Sequence, residues 1–101
     1  MVLLDHKSLW LTKDFNYVPQ DEDFDLLSDI SDTETIARGT GVRIRRYLNA
    51  TYGNGRWRKR KGNAWIRIIR TDEVQFAELH WFEAYGIGRR DMKRKRKLRG
   101  E

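Results

Sequence analysis

The sequence predicts an α+β domain in which one or two helices pack on a short antiparallel β-sheet, preceded by an acidic N-terminal arm. Two observations predict the domain: apolar residues recur at helical spacing over 42–52, and the segments 57–70 and 74–85 alternate as strands do. The third observation is the distribution of charge. Residues 1–34 hold nine acidic side chains and two lysines, a net charge of −7, whereas residues 35–101 hold nineteen Lys or Arg and six acidic residues, a net charge of +13.

The acidic arm is expected to comprise residues 1–31, and the basic domain residues 32–101. The arm contains aromatic and aliphatic side chains between its acids, among them Trp10, Phe15 and Phe24. Solvated acidic segments contain few aromatic residues. We therefore expect the arm to dock, either on its own domain, where it would compete with a polyanion for the basic surface, or on a partner.

Composition restricts the classes of protein that are possible. A chain of 101 residues suits a single domain with a modest core, and the twelve aromatic residues supply much of that core. The absence of Cys removes disulfides, zinc–thiolate sites and cysteine nucleophiles, and the sequence indicates no metal or other cofactor. No apolar run reaches the length of a membrane span, and the first residues do not resemble a secretory signal. A cytoplasmic protein without a membrane partner is expected.

Helices are predicted in the first part of the basic domain. Ser31 and Glu34 match a capping box, which indicates a helix start, and Gly39 and Gly41 interrupt the segment that follows. Gly53 suits the end of a second helix. The apolar positions of that second helix are Ile44, Tyr47, Leu48 and Tyr52.

The segments 57–70 and 74–85 are predicted to form a hairpin with a short turn at 71–73. If the loop has an even number of residues, it decides which side chains of the two strands share a face, whereas a three-residue loop would break the assignment. One face would hold Ala64, Ile66, Ile68, Ala77, Leu79 and Trp81. The other would hold Trp65, Arg67, Ile69, Val74, Phe76, Glu78, His80 and Phe82. We expect the Ile44/Leu48 helix to pack on the first face and the second face to be partly open.

The C-terminal run 89–99 contains Lys or Arg at eight of its eleven positions. Such a run forms either a solvated tail or a further edge strand. Two glycines, Gly86 and Gly88, separate it from the hairpin. The segment 77–88 is similar to one found in small uncharacterised bacterial proteins, a resemblance that implies no activity.

Basic residues interleaved with aromatics are the strongest functional signal. Phosphates require cationic donors, and unstacked bases stack on aromatic or guanidinium faces, so this composition favours RNA or single strands over duplex DNA. The predicted contact residues are Arg56, Trp57, Arg58, Lys59, Arg60, Lys61, Trp65 and Arg67, extended by Arg89, Arg90, Lys93 and Arg94. The alternatives are a merely solvated basic strand end, or a subunit or inhibitor that docks on an acidic protein.

A second signal is a set of groups suited to catalysis on the second face of the hairpin. A metal-independent ribonuclease needs a carboxylate base, an imidazole acid and a guanidinium for the phosphate, and Glu78, His80 and Arg67 supply these types. A helix packed on such a sheet resembles the architecture of the barnase and RelE class of small ribonuclease toxins, which implies RNA cleavage. The favoured alternative is a cross-strand Arg67–Glu78 ion pair beside an ordinary surface His80.

A third signal involves the helical segments. Ile36-Ala37 and Gly41-Val42 resemble the turn of a helix-turn-helix, in which small residues let two helices cross closely. Residues 42–52 would then be the recognition helix, reading bases through Arg43, Arg45, Arg46 and Asn49. The alternative is a packing helix with a basic outer face.

Overall fold

Residues 23–100 are described by a computed structural model, and they form a mainly antiparallel sheet with one α-helix. The chain therefore has the predicted α+β character. The sheet curls into a half-barrel. Within residues 23–100, no helix has the length and apolarity that crossing a bilayer requires. The elements in chain order are β1 (Phe24–Leu26), β2 (Ser31–Arg38), α1 (Arg45–Tyr52), β3 (Arg58–Ile68), β4 (Val74–Ala84) and β5 (Gly88–Gly100).

β3 is hydrogen-bonded on both of its edges. β4 pairs with one edge along its length, and β5 pairs with the far edge of β4. On the other edge, β1 pairs with the C-terminal end of β3, where Phe24 lies opposite Ile68, and β2 pairs with its N-terminal half, where Ser31 lies opposite Asn63. The part of the acidic arm that is described thus adds a strand to the sheet, while residues 1–22 of the arm lie outside the described residues.

The helix predicted from Ser31 is wrong, because residues 31–38 form β2. The backbone of residues 31–38 pairs with the edge of β3, and this long-range pairing outweighs the local capping signal. The Ser31 side chain takes part, because its Oγ donates to the backbone oxygen of Asn63 at 3.2 Å. A short 3₁₀ turn, Gly39–Gly41, follows β2. The helix-turn-helix interpretation is therefore also wrong, since its first helix is a strand.

The second predicted helix exists as α1, somewhat shorter than expected. Its residues Tyr47 and Leu48 are buried. Gly53 ends it with a φ of 117°, a conformation that glycine adopts without strain, and its N–H donates to the carbonyl of Asn49 at 3.0 Å.

The hairpin has the predicted parity. Ala64 lies opposite Ala77 and Trp65 opposite Phe76, so the first predicted face is a single set of inward side chains. We call this side of the sheet the core face. Its buried residues are Ala64, Ile66, Ile68, Ala77, Leu79 and Trp81, packed against Phe24, Ile30 and Met92.

The helix packs on the opposite side of the sheet from the one predicted. Its cluster includes Trp57, Phe82 and Ala84, which have the parity of the second face. The core face does not need the helix, because the curled sheet covers it with side chains from β1, from the segment before β2 and from β5. Only one end of the second face is therefore covered by α1.

The basic run forms β5, so of the two alternatives it is the edge strand. Its register against β4 shifts at Asp91, which has a φ of 55°, as expected for a β-bulge. The Tyr52 hydroxyl donates to the Asp91 carboxylate, which ties the end of α1 to the bulge. Burial and the neighbouring Asp91 carboxylate raise the pKa of Tyr52.

Gly62→Ala tests the close approach of β2 to β3. A Cβ at Gly62 would lie 2.5 Å from Ile30 Cγ2 and 3.0 Å from the Ser31 carbonyl oxygen. We expect it to lower the free energy of unfolding by about 1–3 kcal/mol, as overpacking does, measured by urea denaturation. Gly41→Ala is the matched control, since its Cβ would meet Ala37 Cβ at 3.7 Å; a loss there as large as at Gly62 would contradict the explanation.

Candidate nucleic-acid interface

The side of the sheet that α1 partly covers carries rows of basic and aromatic side chains across three strands. We call it the basic face. Residues directly opposite one another in an antiparallel sheet project to the same side. From the helix end, its rows are Lys59–Phe82–Arg90, Lys61–His80–Lys93, Asn63–Glu78–Arg96 and Trp65–Phe76–Arg99.

Positive charge is concentrated at the helix end of this face. Lys59 Nζ lies 5.8 Å from the centroid of the Phe82 ring. Burial lowers the pKa of Lys59, and the nearby charges of Lys93, Lys95 and Arg43 lower it further. Cations held this close repel one another, so an anion bound among them would be stabilised.

Two aromatic rings lie at the other end of the face. The Trp65 and Phe76 centroids are 5.4 Å apart with an interplanar angle of 51°. The Arg99 guanidinium lies 4.7 Å from the Phe76 centroid and 5.5 Å from that of Trp65. Both rings are half-buried, so the face ends in an aromatic pair with a cation over it, an arrangement on which a base can stack.

Glu78 and His80 form a close pair in the middle of the face. His80 Nε2 lies 2.6 Å from Glu78 Oε2, and Arg96 Nε lies 3.5 Å from the other carboxylate oxygen. The hydrogen bond from His80, with the charges of Arg96 and Lys61, holds the pKa of Glu78 below its usual range. Burial lowers the pKa of His80, against the effect of Glu78. His80 is 8% exposed, so its prediction as a surface imidazole is wrong.

Arg67 lies apart from this pair. It is opposite Val74, whereas Glu78 is opposite Asn63, four residues along β3, which is about 13 Å at the rise of a strand. Its guanidinium contacts Asp25 and also Asp72, at 2.7 Å. The predicted Arg67–Glu78 ion pair is therefore wrong, and the three predicted catalytic residues do not meet at one point. His80 Nδ1 is buried without a hydrogen-bond partner.

The basic stem 56–61 is divided between the two sides of the sheet. Lys59 and Lys61 belong to the basic face, whereas Arg58 and Arg60 project to the other side, where both contact Glu83. Trp57 is 1% exposed and its Nε1 donates to Asn49 Oδ1 at 2.9 Å, so its indole is packed inside the protein and is not part of the basic face. Its parity places the indole under α1, where it is part of the core.

The remaining predicted contact residues are divided in the same way. Arg90 and Lys93 lie on the basic face, opposite Phe82 and His80. Arg94 lies opposite Leu79, on the core-face side. Arg89 also lies away from the basic face, with its guanidinium 5.6 Å from the centroid of the Trp81 ring.

Two adjoining cavities lie at the end of the sheet where β3 begins, around Arg58. They share Arg58 and Tyr85, and we call them together the arginine cleft. The larger, of about 810 Å³, is lined by Arg38, Arg45, Arg56, Arg58, Trp57 and Tyr85, with Gly39 and Gly55. The smaller, of about 440 Å³, includes Arg58, Arg60, Arg89, Trp81, Glu83 and Tyr85 in its lining.

Several residues of these surfaces were not among the predicted contacts. Phe76 and Arg99 complete the aromatic end, and Arg38 and Tyr85 line the cleft. The parity of the hairpin was enough to place Phe76 beside Trp65. Arg38 and Arg99 depend on how β2 and β5 pair with the hairpin, and the local sequence does not specify those partners.

Acidic side chains reach the basic face from the β3 edge, one from the arm and one from β2. Asp25 contacts Arg67, and Glu34 Oε1 lies 3.4 Å from Lys61 Nζ. Both acids therefore neutralise cations of the predicted contact surface.

Among the described residues, no group of three or more His, Cys, Asp or Glu side chains is placed to hold a metal ion. The chain matches no protein-family description, and no curated protein or solved structure is significantly similar to it.

The environment of His80 gives the folded protein a pH dependence. Because burial lowers the folded pKa of His80, the unfolded chain takes up a proton first as the pH falls. We expect the free energy of unfolding to decrease below the ordinary histidine pKa of about 6.5, and to decrease further at the lower pH at which Glu78 is protonated. The measurement is urea denaturation from pH 7.5 downwards, with the His80 effect read between pH 7.5 and pH 5 and the Glu78 effect below pH 5.

His80→Gln is the informative variant, made in a His6→Gln background so that no other imidazole titrates. Its unfolding free energy should change less between pH 7.5 and pH 5 than that of the His6→Gln parent. An identical pH dependence in the two proteins would show that His80 is not the group responsible.

Proposed function

We propose that the protein binds nucleic acid across the basic face, with RNA or another single strand favoured over duplex DNA. The observation that carries the proposal is the order in which aromatic and basic side chains follow one another along the basic face. An aromatic pair lies at one end, and mutually repelling cations around Lys59 lie at the other. Trp65 lies six positions after Lys59 on β3, about 20 Å along the strand, which gives an extended chain room for both kinds of contact.

The aromatic end supports a single strand over a duplex. Bases in a duplex are stacked on one another, whereas unpaired bases can stack on Trp65 or Phe76 and be covered by Arg99. The helix offers no comparable support for reading duplex DNA, because β2 takes the place of the first helix of a helix-turn-helix.

The acidic residue in the centre of the face does not oppose this function. Glu78 is engaged by His80 and Arg96, so its charge is offset within the row. The cations near it are Lys61 and Lys93, which are aligned with His80 across the strands. A phosphate backbone following the strand direction would meet positive charge on both sides of Glu78.

The acidic arm is proposed to act in cis as a competitor for this surface. Asp25 of the arm already contacts Arg67, and Glu34, which follows the arm in β2, contacts Lys61. Each contact would have to open, or be bypassed, for a phosphate to reach the same cation. The proposed setting is the cytoplasm.

Removing cations from the helix end should reduce the salt dependence of binding. For Lys59→Gln combined with Lys93→Gln, we expect weaker binding of a single-stranded RNA and a log–log salt slope smaller by about 1.4, since each phosphate contact to a single strand contributes about 0.7. Fluorescence anisotropy at several salt concentrations measures both quantities. Lys97→Gln is the control, because Glu73 lies 2.6 Å from that ammonium and offsets its charge.

An unchanged slope in the double variant would contradict the placement of the strand on this face. Salt-independent binding, or no binding at low salt, would contradict the proposed function as a whole. Recovery of one acidic protein from nuclease-treated extract, without any bound nucleic acid, would favour the docking alternative.

Trp65→Leu tests the aromatic end separately from charge. We expect it to weaken binding of single-stranded RNA by about 1–3 kcal/mol, the usual contribution of one stacked base, and to leave binding of a duplex of the same sequence almost unchanged. Titrations of both ligands at one salt concentration measure the difference. Equal losses for the two ligands would show that Trp65 stabilises the fold and does not stack on a base.

A further inference from the structure

The arginine cleft differs from the basic face in the chemistry of its cations. Every basic side chain that lines it is an arginine, whereas the helix end of the basic face is made chiefly of lysines. Arginine presents a planar fork that binds two oxygens of one phosphate, and lysine acts as a mobile point charge. The cleft is therefore suited to hold one phosphate group in a defined orientation.

The larger cavity of the cleft has no acidic residue in its lining. Of its four arginines, Arg58 is ion-paired, to Glu83 at 2.5 Å. Within residues 23–100, Arg38, Arg45 and Arg56 form no ion pair. Arg38 and Arg56 are exposed, so three guanidinium groups without a described counter-charge converge on a space of about 810 Å³. That volume is typical of small-ligand sites.

Glu83, in the lining of the smaller cavity, holds the neighbouring arginines in place. Glu83 accepts a hydrogen bond from Trp81 Nε1 at 2.8 Å and contacts both Arg58 and Arg60. Burial alone would raise the pKa of Glu83, but the Trp81 hydrogen bond and the adjacent guanidinium groups hold it below its usual range. Glu83 is therefore a carboxylate that positions Arg58 at the boundary between the two cavities.

Tyr85 adds an aromatic surface to the cleft. Its side chain is fully exposed, although it lines both cavities. An exposed aromatic ring does not contribute the stabilisation of the folded state that a buried ring would contribute. Beside a group of arginines it provides a ring on which the base next to a bound phosphate can stack.

From these observations we propose that the arginine cleft binds the phosphorylated end of a single-stranded nucleic acid, with the terminal base on Tyr85. A terminal phosphomonoester carries about 1.5 to 2 negative charges at neutral pH and three acceptor oxygens, more than an internal phosphodiester offers. The proposal rests on the proposed function, since the rest of the strand would lie on the basic face. β3 links the two sites, because Arg58 and Lys59 are consecutive and project to opposite sides.

The test compares three oligonucleotides of one sequence: one with a 5′-phosphate, one with a 3′-phosphate and one with hydroxyl groups at both ends. Each competes, unlabelled, against an internally labelled strand bound to the full chain. We expect one phosphorylated end to bind about tenfold or more tightly than the hydroxyl ends, the effect of at least one charge-assisted hydrogen bond. Which end is preferred identifies the source of the phosphate.

Variants assign the preference to the cleft. Arg38→Gln with Arg56→Gln should abolish the preference, so that all three oligonucleotides bind with equal affinity, and Tyr85→Ala should reduce it. All three residues are exposed, so the variants are expected to fold. Lys61→Gln is the matched control on the basic face and should weaken all three ligands by the same factor.

Equal affinity for the three oligonucleotides would overturn the proposal while leaving the proposed function intact. A preference that survives Arg38→Gln with Arg56→Gln would also overturn it, because the phosphate would then be bound elsewhere. If none of the oligonucleotides binds at low salt, both proposals fail together.

Discussion

The surface chemistry of this protein depends on the fixed register of β3. That strand is paired on both edges, and its core-face residues Ala64, Ile66 and Ile68 are buried. A shift of one residue would move all three to the other side of the sheet, which is why the register is strongly determined. The same alternation sorts the basic stem, sending Arg58 and Arg60 to one side and lysines to the other.

The charge of β5 has two separable consequences. β5 is an edge strand, and a row of Lys and Arg on an exposed edge discourages pairing with another chain. That structural benefit requires only positive charge along the edge. It does not require Arg99 to lie over two aromatic rings, or Lys93 to lie in a row with Lys61, and these placements are what distinguish a binding surface from a protected edge.

The parts of the fold that were predictable from sequence are those determined by local patterns. The hairpin faces follow from alternation and loop parity, and the helix follows from apolar spacing ended by Gly53. β2 was not predictable in this way, because the capping signal at Ser31 is local and the edge of β3 that overrides it is brought close only by the fold. The position of the helix depended likewise on what else could cover the core face.

The candidate site shows the same division between local and long-range information. Arg67, Glu78 and His80 were correctly placed on one side of the hairpin, but sharing a face does not bring residues together. Rows on one face are separated by about 7 Å for every two residues, and the register puts Arg67 two rows from Glu78. Arg67 is instead close to Asp25 of the arm. The alternation pattern of the hairpin gives no information about where Asp25 lies.

The two proposed surfaces differ in how the chain compensates their charge, and this suggests different roles. On the basic face, Asp25, Glu34 and Glu78 contact cations, so phosphates that bound there would exchange one set of charge contacts for another. Such exchange contributes affinity that weakens with salt and discriminates little between positions along a strand. In the larger cavity of the arginine cleft no lining acid competes, and the donors are rigid forks. In the proposed complex the face would therefore supply general affinity, while the cleft would fix the position of one end of the strand.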